Sequence, residues 1–173
     1  DALGKSVFPE HIRLYQQPHL LKGMGSAPFD SEGVLTEARD YVTDGILNSY
    51  ILNSYSARQL GMETTGNAGG VYNLRVSHSD HNLKALFKSM GSGFFVTELI
   101  GQGVSILTGD YSRGAAGFWI EHGEIQHAVH EVTISGHLQD IFKNIIAVGN
   151  DVDTRGNTQT GSIWVDNMTV AGS

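Results

Sequence analysis

The sequence predicts an α+β fold, built mainly as antiparallel sheet in a sandwich- or barrel-like arrangement with two amphipathic helices. Three observations carry this expectation. The 173 residues include 22 glycines, a density that suits turns and tight backbone rather than long helices. Short runs of β-branched and aromatic residues alternate with polar ones between turn dipeptides such as Asp44-Gly45 and His122-Gly123. Helical spacing of apolar residues is sustained in two segments, one from Ser79 and one from Ser135. The expected organisation is a single domain over residues 1–173. The chain lacks an initiator Met and enters an alternating pattern at once, so it reads as a domain of a longer protein.

Taken in order, Val7 to Tyr15 alternates loosely around Phe8 and Pro9 and predicts a strand. A polar loop marked by Gly and Pro follows, with Glu32-Gly33 where a hairpin turn is expected. Asp44-Gly45 then predicts a two-residue hairpin. The pentapeptide ILNSY occurs twice in succession, at 46–50 and 51–55. Five residues match no repeat architecture and no helical period, so the pair reads as a strand running into a short helical turn near Ser56–Leu60. The first helix places Leu83, Leu86, Phe87 and Met90 on one stripe, capped by Ser79 or Asp80 and ended by Gly91. In the second, Leu138, Ile141, Phe142, Ile145 and Ile146 form the stripe and Gly149 the stop. Between the helices, strands are expected at Phe94–Leu99, Val104–Leu107, Ala116–Glu121 and Glu124–Ile134. The tail predicts a short strand pair around Asp166-Asn167.

Composition narrows the function classes. The net charge is −7 and the 11 Lys and Arg are scattered, so a phosphate backbone meets no electrostatic footprint and no nucleic-acid partner is expected. With no cysteine, the chain has no disulfide, thiol nucleophile or thiolate zinc ligand. No apolar run approaches the ~18 residues of a bilayer span, so no membrane role is expected and a cytoplasmic location follows.

The stretch HAVHEVTISGH, residues 127–137, contains His130-Glu131 and approaches the zinc pattern H-E-x-x-H, but Ile134 stands where the second His would be. That pattern works on a helix, where residues i and i+4 share a face. Glu131-Val132-Thr133-Ile134 is β-branched and follows a hairpin turn, which is strand chemistry. On a strand, His130 and Glu131 point to opposite faces, His127 and His130 likewise, and His137 lies about 23 Å further on at ~3.3 Å per residue. The histidines therefore read as solvated or locally hydrogen-bonded. A self-standing metal or hydrolytic site built from Asp110, His122 and His127 in a homodimer is the alternative. Neither a dinucleotide fingerprint nor a phosphate-binding P-loop occurs, and GDYSRGAAG supplies no nucleophile elbow. Gly109, Gly114 and Gly117 suit bulges or close approaches in a sheet. Equally, an Arg and a Tyr beside small residues suit a recognition surface.

SYSARQLGMETTGNAGG (54–70), VTELIGQGVSILTGDYSRGAAGFWIEHGEI (96–125), NIIAVGND (144–151) and MTVAG (168–172) together resemble the TldD/PmbA family, and within it the PmbA branch, once labelled modulators of DNA gyrase. The resemblance covers essentially the whole chain, as the C-terminal domain of a longer protein. It implies a bacterial, cytoplasmic proteolytic assembly, dimeric in the full-length protein. In it a TldD-type catalytic subunit pairs with a PmbA-type subunit to degrade unfolded peptides and mature a microcin-type precursor. It also implies that the zinc sits in the TldD-type partner, on an H-E-x-x-x-H helix upstream of the matched region and a Cys near the C-terminus. The present sequence departs from that pattern. It has no Cys, the matching segment reads GNTQTGS (156–162), and Ser135 stands where the second His of H-E-x-x-x-H would fall. The expectation is thus a non-catalytic subunit domain with no cofactor of its own and no catalytic or metal residues. A modulator of DNA gyrase is a further alternative, opposed by the charge. The expected peptide- or partner-facing residues are Gly66, Asn67, Gly69 and Gly70 in one turn, and Gly109, Asp110, Tyr111, Ser112, Arg113 and Gly114 in the other.

Overall fold

A computed structural model describes residues 2–172. The described chain is α+β, with mostly antiparallel strands in open sheets and three helices. It forms two compact units, one of residues up to His78 together with Val152–Gly161, the other of Ser79–Asp151 together with residues from 162 on.

The first unit is a five-stranded sheet. Its strands are β1 (Leu14–Gln16), β2 (Arg39–Thr43), β3 (Ile46–Leu47), β4 (Leu74–Val76) and β9 (Thr158–Gln159), in the order β3-β2-β1-β4-β9. All neighbours are antiparallel except β4 and β9. Asp44 and Gly45 both take positive φ, 51° and 74°, and close the β2–β3 hairpin as expected. The Glu32-Gly33 turn also forms, with Phe29 bridged to Leu35. Ile12, Tyr41, Val42, Leu52, Ala57 and Ala68 make the core.

One expectation in this unit changes, while the ILNSY pair runs from strand into helix as expected. The strand from Val7 is confined to Leu14–Gln16, because Ile12 N bonds back to Pro9 O at 3.0 Å and closes a turn in between. The two ILNSY copies take different structures. The first opens as β3, whereas the second ends in helix α1 (Ser54–Leu60), capped by Asn53, which accepts from Ser56 N at 2.8 Å. Identical pentapeptides diverge because the first follows a hairpin turn and the second feeds a capping box.

The second unit begins with helix α2 (Leu83–Met90), whose apolar stripe buries Leu86 and Phe87. Its cap is Asn82, which accepts from Ala85 N at 3.0 Å, rather than Ser79 or Asp80; Gly91 ends it as expected. A four-stranded antiparallel sheet follows, with β5 (Gly93–Ile100), β6 (Asp110–Glu121), β7 (Glu124–His137) and β11 (Thr169–Ala171) in the order β11-β7-β6-β5. His122 and Gly123, with φ of 54° and 76°, make the β6–β7 turn. Strands β8 (Ile145–Val148) and β10 (Ile163–Val165) form a separate pair. Ala115, Ile120, Ile134, Ile145 and Val148 join Leu86 and Phe87 in the core.

Three further corrections fall here. The second helix is α3 (Leu138–Lys143), six residues only, because the β-branched pair Ile145-Ile146 leaves it for β8. Val104–Leu107 is a turn, not a strand, with a single bridge from Val104 to Tyr111. The tail strands pair with β8 and β7 rather than with each other: Asn167 takes a φ of 57°, and Asp166 N bonds Asn144 O at 2.9 Å. Among the described residues no sheet closes into a barrel.

Candidate functional site

In the first unit, Gly66, Asn67, Gly69 and Gly70 belong to a turn built over buried polar side chains. Gly66 has a φ of 68°, and a Cβ there would meet the Leu35 carbonyl, so the position admits glycine alone. Asn67 is 4% exposed and fully engaged. Its Nδ2 donates to Gln16 Oε1 at 3.0 Å and to Gly70 O at 2.8 Å, and its Oδ1 accepts from Thr65 Oγ1 at 2.9 Å. Asp30 braces the same turn from below, accepting from the backbone N–H of Ala68, Glu32 and Val34 at 2.9–3.0 Å. Burial opposes the Asp30 charge, yet those three donors outweigh it and hold the carboxyl below its ordinary range. Gly66 and Asn67 are thus interior, whereas Gly69 is exposed and Gly70 half-buried. Any molecule meeting this turn meets Gly69 and Gly70, on a platform fixed by hydrogen bonds.

In the second unit, Gly109 to Gly114 open β6. Asp110, Tyr111, Ser112, Arg113 and Gly114 pair with His137, Gly136, Ser135, Ile134 and Thr133 of β7. On the other side the segment 101–109 folds against them: Ser105 N bonds Asp110 O at 2.9 Å and Ser112 N bonds Gly103 O at 2.7 Å. The main chain of this segment is therefore bonded on both sides, and only its side chains face outward. Gly109, with a φ of 84°, lies against the His137 ring. His137 Nε2 bonds Thr108 O at 2.9 Å, and its Nδ1 accepts from Gln139 N at 3.3 Å, so it caps α3. Arg113 reaches Leu99 O at 3.4 Å, with its Nε buried and unpartnered among the described residues.

With the start of β6 bonded on both sides, the unpaired strand edges of this sheet lie elsewhere. Strand β11 covers β7 only at Thr133–Ser135, leaving the outer side of residues 124–132 without a pairing strand among the described residues. The outer side of β5 is free in the same sense. These edges, not the glycine-rich start of β6, are where an extended chain can add main-chain hydrogen bonds.

His130-Glu131 occupies a β-bulge on that free edge. Ala115 pairs with Val132 and Gly117 with Val129, so His130 and Glu131 together face Ala116. Glu131 has a left-handed φ of 60°. The simple alternation expected of this strand is broken at this point, because the bulge inserts one residue and re-aims the side chains beyond it. Gly117 makes the close approach expected of it, with backbone of Phe95 and Val96 where a Cβ would sit.

The pair lies on strand rather than helix, and the chain offers no thiolate, so its donor set does not fit the zinc site of a metalloprotease. Among the described residues no three His, Asp or Glu side chains group closely enough to hold a metal. Asp110 stands at one end of the β6–β7 ladder, and His122 and His127 stand at the other. At ~3.3 Å per residue the eleven steps from Asp110 to Glu121 span about 36 Å, so one copy cannot bring these three together. No helix among the described residues is long and apolar enough to cross a membrane.

The second unit also holds an apolar pocket of about 580 Å³ that no local pattern announced, lined by α2, β5 and the segment 162–170. Its signal was present as Trp119, Trp164 and Met168, three large apolar side chains that line one side of it.

Comparison with known proteins agrees with this architecture. Residues 1–172 match the family model described as the PmbA/TldA metallopeptidase C-terminal domain. The chain is 55% identical to metalloprotease PmbA of Escherichia coli over 99% of its own length and 38% of the relative's. It is 52% identical to a PmbA homologue of Haemophilus influenzae, over 100% of its own length and 39% of the relative's. It thus spans less than half of these relatives. A crystal structure from Bacteroides thetaiotaomicron, of a protein named a candidate modulator of DNA gyrase, superposes with a TM-score of 0.93 at 30% identity, over 100% of this chain and 39% of that one. The chain belongs to the PmbA/TldD metallopeptidase family, whose C-terminal domain it matches along essentially its whole length.

Proposed function

We propose that residues 1–173 act as the C-terminal domain of a PmbA-type subunit in a two-subunit TldD/PmbA zinc metalloprotease. The subunit is itself non-catalytic. It pairs with a TldD-type catalytic chain in the cytoplasm and helps to hold unfolded peptides, including microcin-type precursors, for cleavage. The observation that supports this reading best is the combination of family membership with a donor set that does not fit zinc. The free edges of β5 and β7 support the peptide role, because strand addition provides affinity through main-chain bonds and demands little of the peptide's sequence. Gly69, Gly70 and the side chains of Asp110, Ser112 and Arg113 are the proposed partner- or peptide-facing positions.

Co-purification of the full-length protein with its TldD-type partner tests this. Zinc content and peptidase activity are measured for each chain alone and for the pair. The expected result is a stable pair, with zinc and activity requiring the TldD-type chain. Stoichiometric zinc and peptide cleavage by the present chain alone would overturn the reading.

A further inference from the structure

Arg113 is a half-buried cation without a counter-charge among the described residues. It lies on β6 between Tyr111 and Ala115, on the face that buries Ala115 and, across the ladder, its own partner Ile134. Its Nη2 reaches Leu99 O at 3.4 Å, and its Nε is buried with no acceptor among the described residues. No carboxylate pairs with it there, although the unit holds nine acidic side chains against four basic ones. The acids of the adjoining strands are turned away. Asp110, and Glu98 opposite Ala116, leave the sheet on the other face, and Asp110 already accepts from Thr108 Oγ1 at 2.6 Å. A guanidinium taken partly out of water with donors unused is unfavourable until an anion reaches it.

The position of Arg113 in the sheet fixes where such an anion can lie. Ile100, the last residue of β5, pairs with Gly114, and Ser112 N bonds Gly103 O at 2.7 Å. Arg113 is therefore level with the break between them, where Gly101 turns the chain with a φ of 76°. Its side chain crosses from β6 onto β5 at Leu99, and just beyond lies the outer edge of β5, without a pairing strand among the described residues. An extended chain added along Gly93–Ile100 loses its template at Gly101. Its end, or the side chain next to its end, then comes to the guanidinium.

We propose that Arg113 binds a carboxylate of a peptide lying along the free edge of β5, either the terminal carboxylate of a chain parallel to β5 or an acidic side chain at the same level. The planar Arg fork matches the two oxygens of a carboxylate, and the partly apolar setting strengthens the pair. Main-chain bonds along the edge accept many sequences. Arg113 adds a register to them, favouring peptides with a negative charge at one fixed place. The inference rests on the peptide-holding role proposed above and names the feature of the peptide that this edge selects.

The test uses the full-length protein and peptides of eight residues, the length of β5, labelled with fluorescein at the N-terminus. The peptides share one neutral sequence. One ends in a free carboxylate, one in an amide, and one in an amide with Glu as its last residue. By fluorescence anisotropy, a peptide bearing the carboxylate that Arg113 takes is expected to bind at least about tenfold more tightly than the neutral amide. Which of the two charged peptides shows the gain identifies the source. Arg113→Gln is expected to remove the preference and Arg113→Lys to keep part of it. Lys84→Gln, an equal change of charge at an exposed position of α2, is expected to leave it intact. Thermal unfolding checks that each variant folds, and the comparison of the three peptides on the wild type needs no variant. Equal binding of all three by the wild type, or a preference that survives Arg113→Gln, would overturn the proposal and leave the peptide-holding role standing. Binding of none of them would overturn both.

Discussion

Asn67 Nδ2 donates to Gln16 Oε1 at 3.0 Å, joining two buried side chains that are 51 positions apart in the chain. Gln16 is itself bound twice more: its Nε2 donates to Glu37 O at 2.9 Å, and its Oε1 accepts from Tyr72 N at 3.2 Å. The pair therefore ties the 64–72 turn to the central strand of the first unit. Asn67→Ala removes three hydrogen bonds and leaves Thr65 and Gln16 partly unsatisfied in the interior, at a cost of about 2–3 kcal/mol. Urea denaturation measures it. In a double-mutant cycle with Gln16→Leu, the two costs should sum to more than the double variant loses, because each single change strands the other partner.

Asp30 makes the same turn sensitive to acid. Its folded pKa lies below the unfolded value, so the stability it provides is fully present above the ordinary carboxylate range and is lost as pH falls through the lowered pKa. Asp30→Asn keeps an acceptor for part of the backbone set and loses the charge. It should lower stability at neutral pH and flatten the decline below about pH 4, where the unfolded carboxyl takes its proton. Thermal unfolding of both proteins between neutral and acid pH reads this out. Parallel curves would show that the three backbone bonds to Asp30 do not carry the effect.

These two residues also show where sequence reasoning stopped. The hairpins at Asp44-Gly45 and His122-Gly123 were legible because a two-residue turn with left-handed backbone leaves a local signature. The α2 stripe was legible because its core positions repeat every three or four residues. Asn67 and Gln16 carry no such mark; their bond exists only once two strands and a helix have been arranged between them. The Ile145-Ile146 step from α3 into β8 was hidden for a related reason. An apolar run fits either period, and only pairing with Ile163–Val165 decides it. At the candidate site the near-miss His130-Glu131 was correctly placed on a strand, but its bulge depends on register with β6, which no local pattern encodes.

Glu131 gives that bulge a direct test. A non-glycine residue at a φ of 60° carries about 1–2 kcal/mol of left-handed strain. Glu131→Gly relieves it and gives part of the gain back as added freedom of the unfolded chain, so the net change should lie between zero and about 1 kcal/mol of stabilisation. Glu131→Val places a β-branched side chain in the same backbone and should destabilise by about 1–2 kcal/mol, although valine is ordinarily the better strand former. Chemical denaturation of the two variants decides. A valine variant as stable as wild type would show that β7 runs without the left-handed residue.

Tyr41 supplies the alkaline counterpart. Its ring is in the core of the first unit, and its hydroxyl is buried with no hydrogen-bond partner among the described residues. Burial pushes its pKa up to about 12, outweighing the weaker pull of the nearby Arg39 charge toward the phenolate. A raised folded pKa means that the neutral phenol is what the fold stabilises. This contribution is complete below about pH 10, where the unfolded tyrosine ionises, and shrinks by about 1.4 kcal/mol per pH unit up to the folded value. Tyr41→Phe removes an unsatisfied hydroxyl. It should be neutral or slightly stabilising near pH 8 and should abolish this alkaline loss. The difference in tyrosinate absorbance between wild type and Tyr41→Phe during alkaline titration should rise near pH 12 or on unfolding. A rise near pH 10 in the folded protein would show that water reaches the hydroxyl.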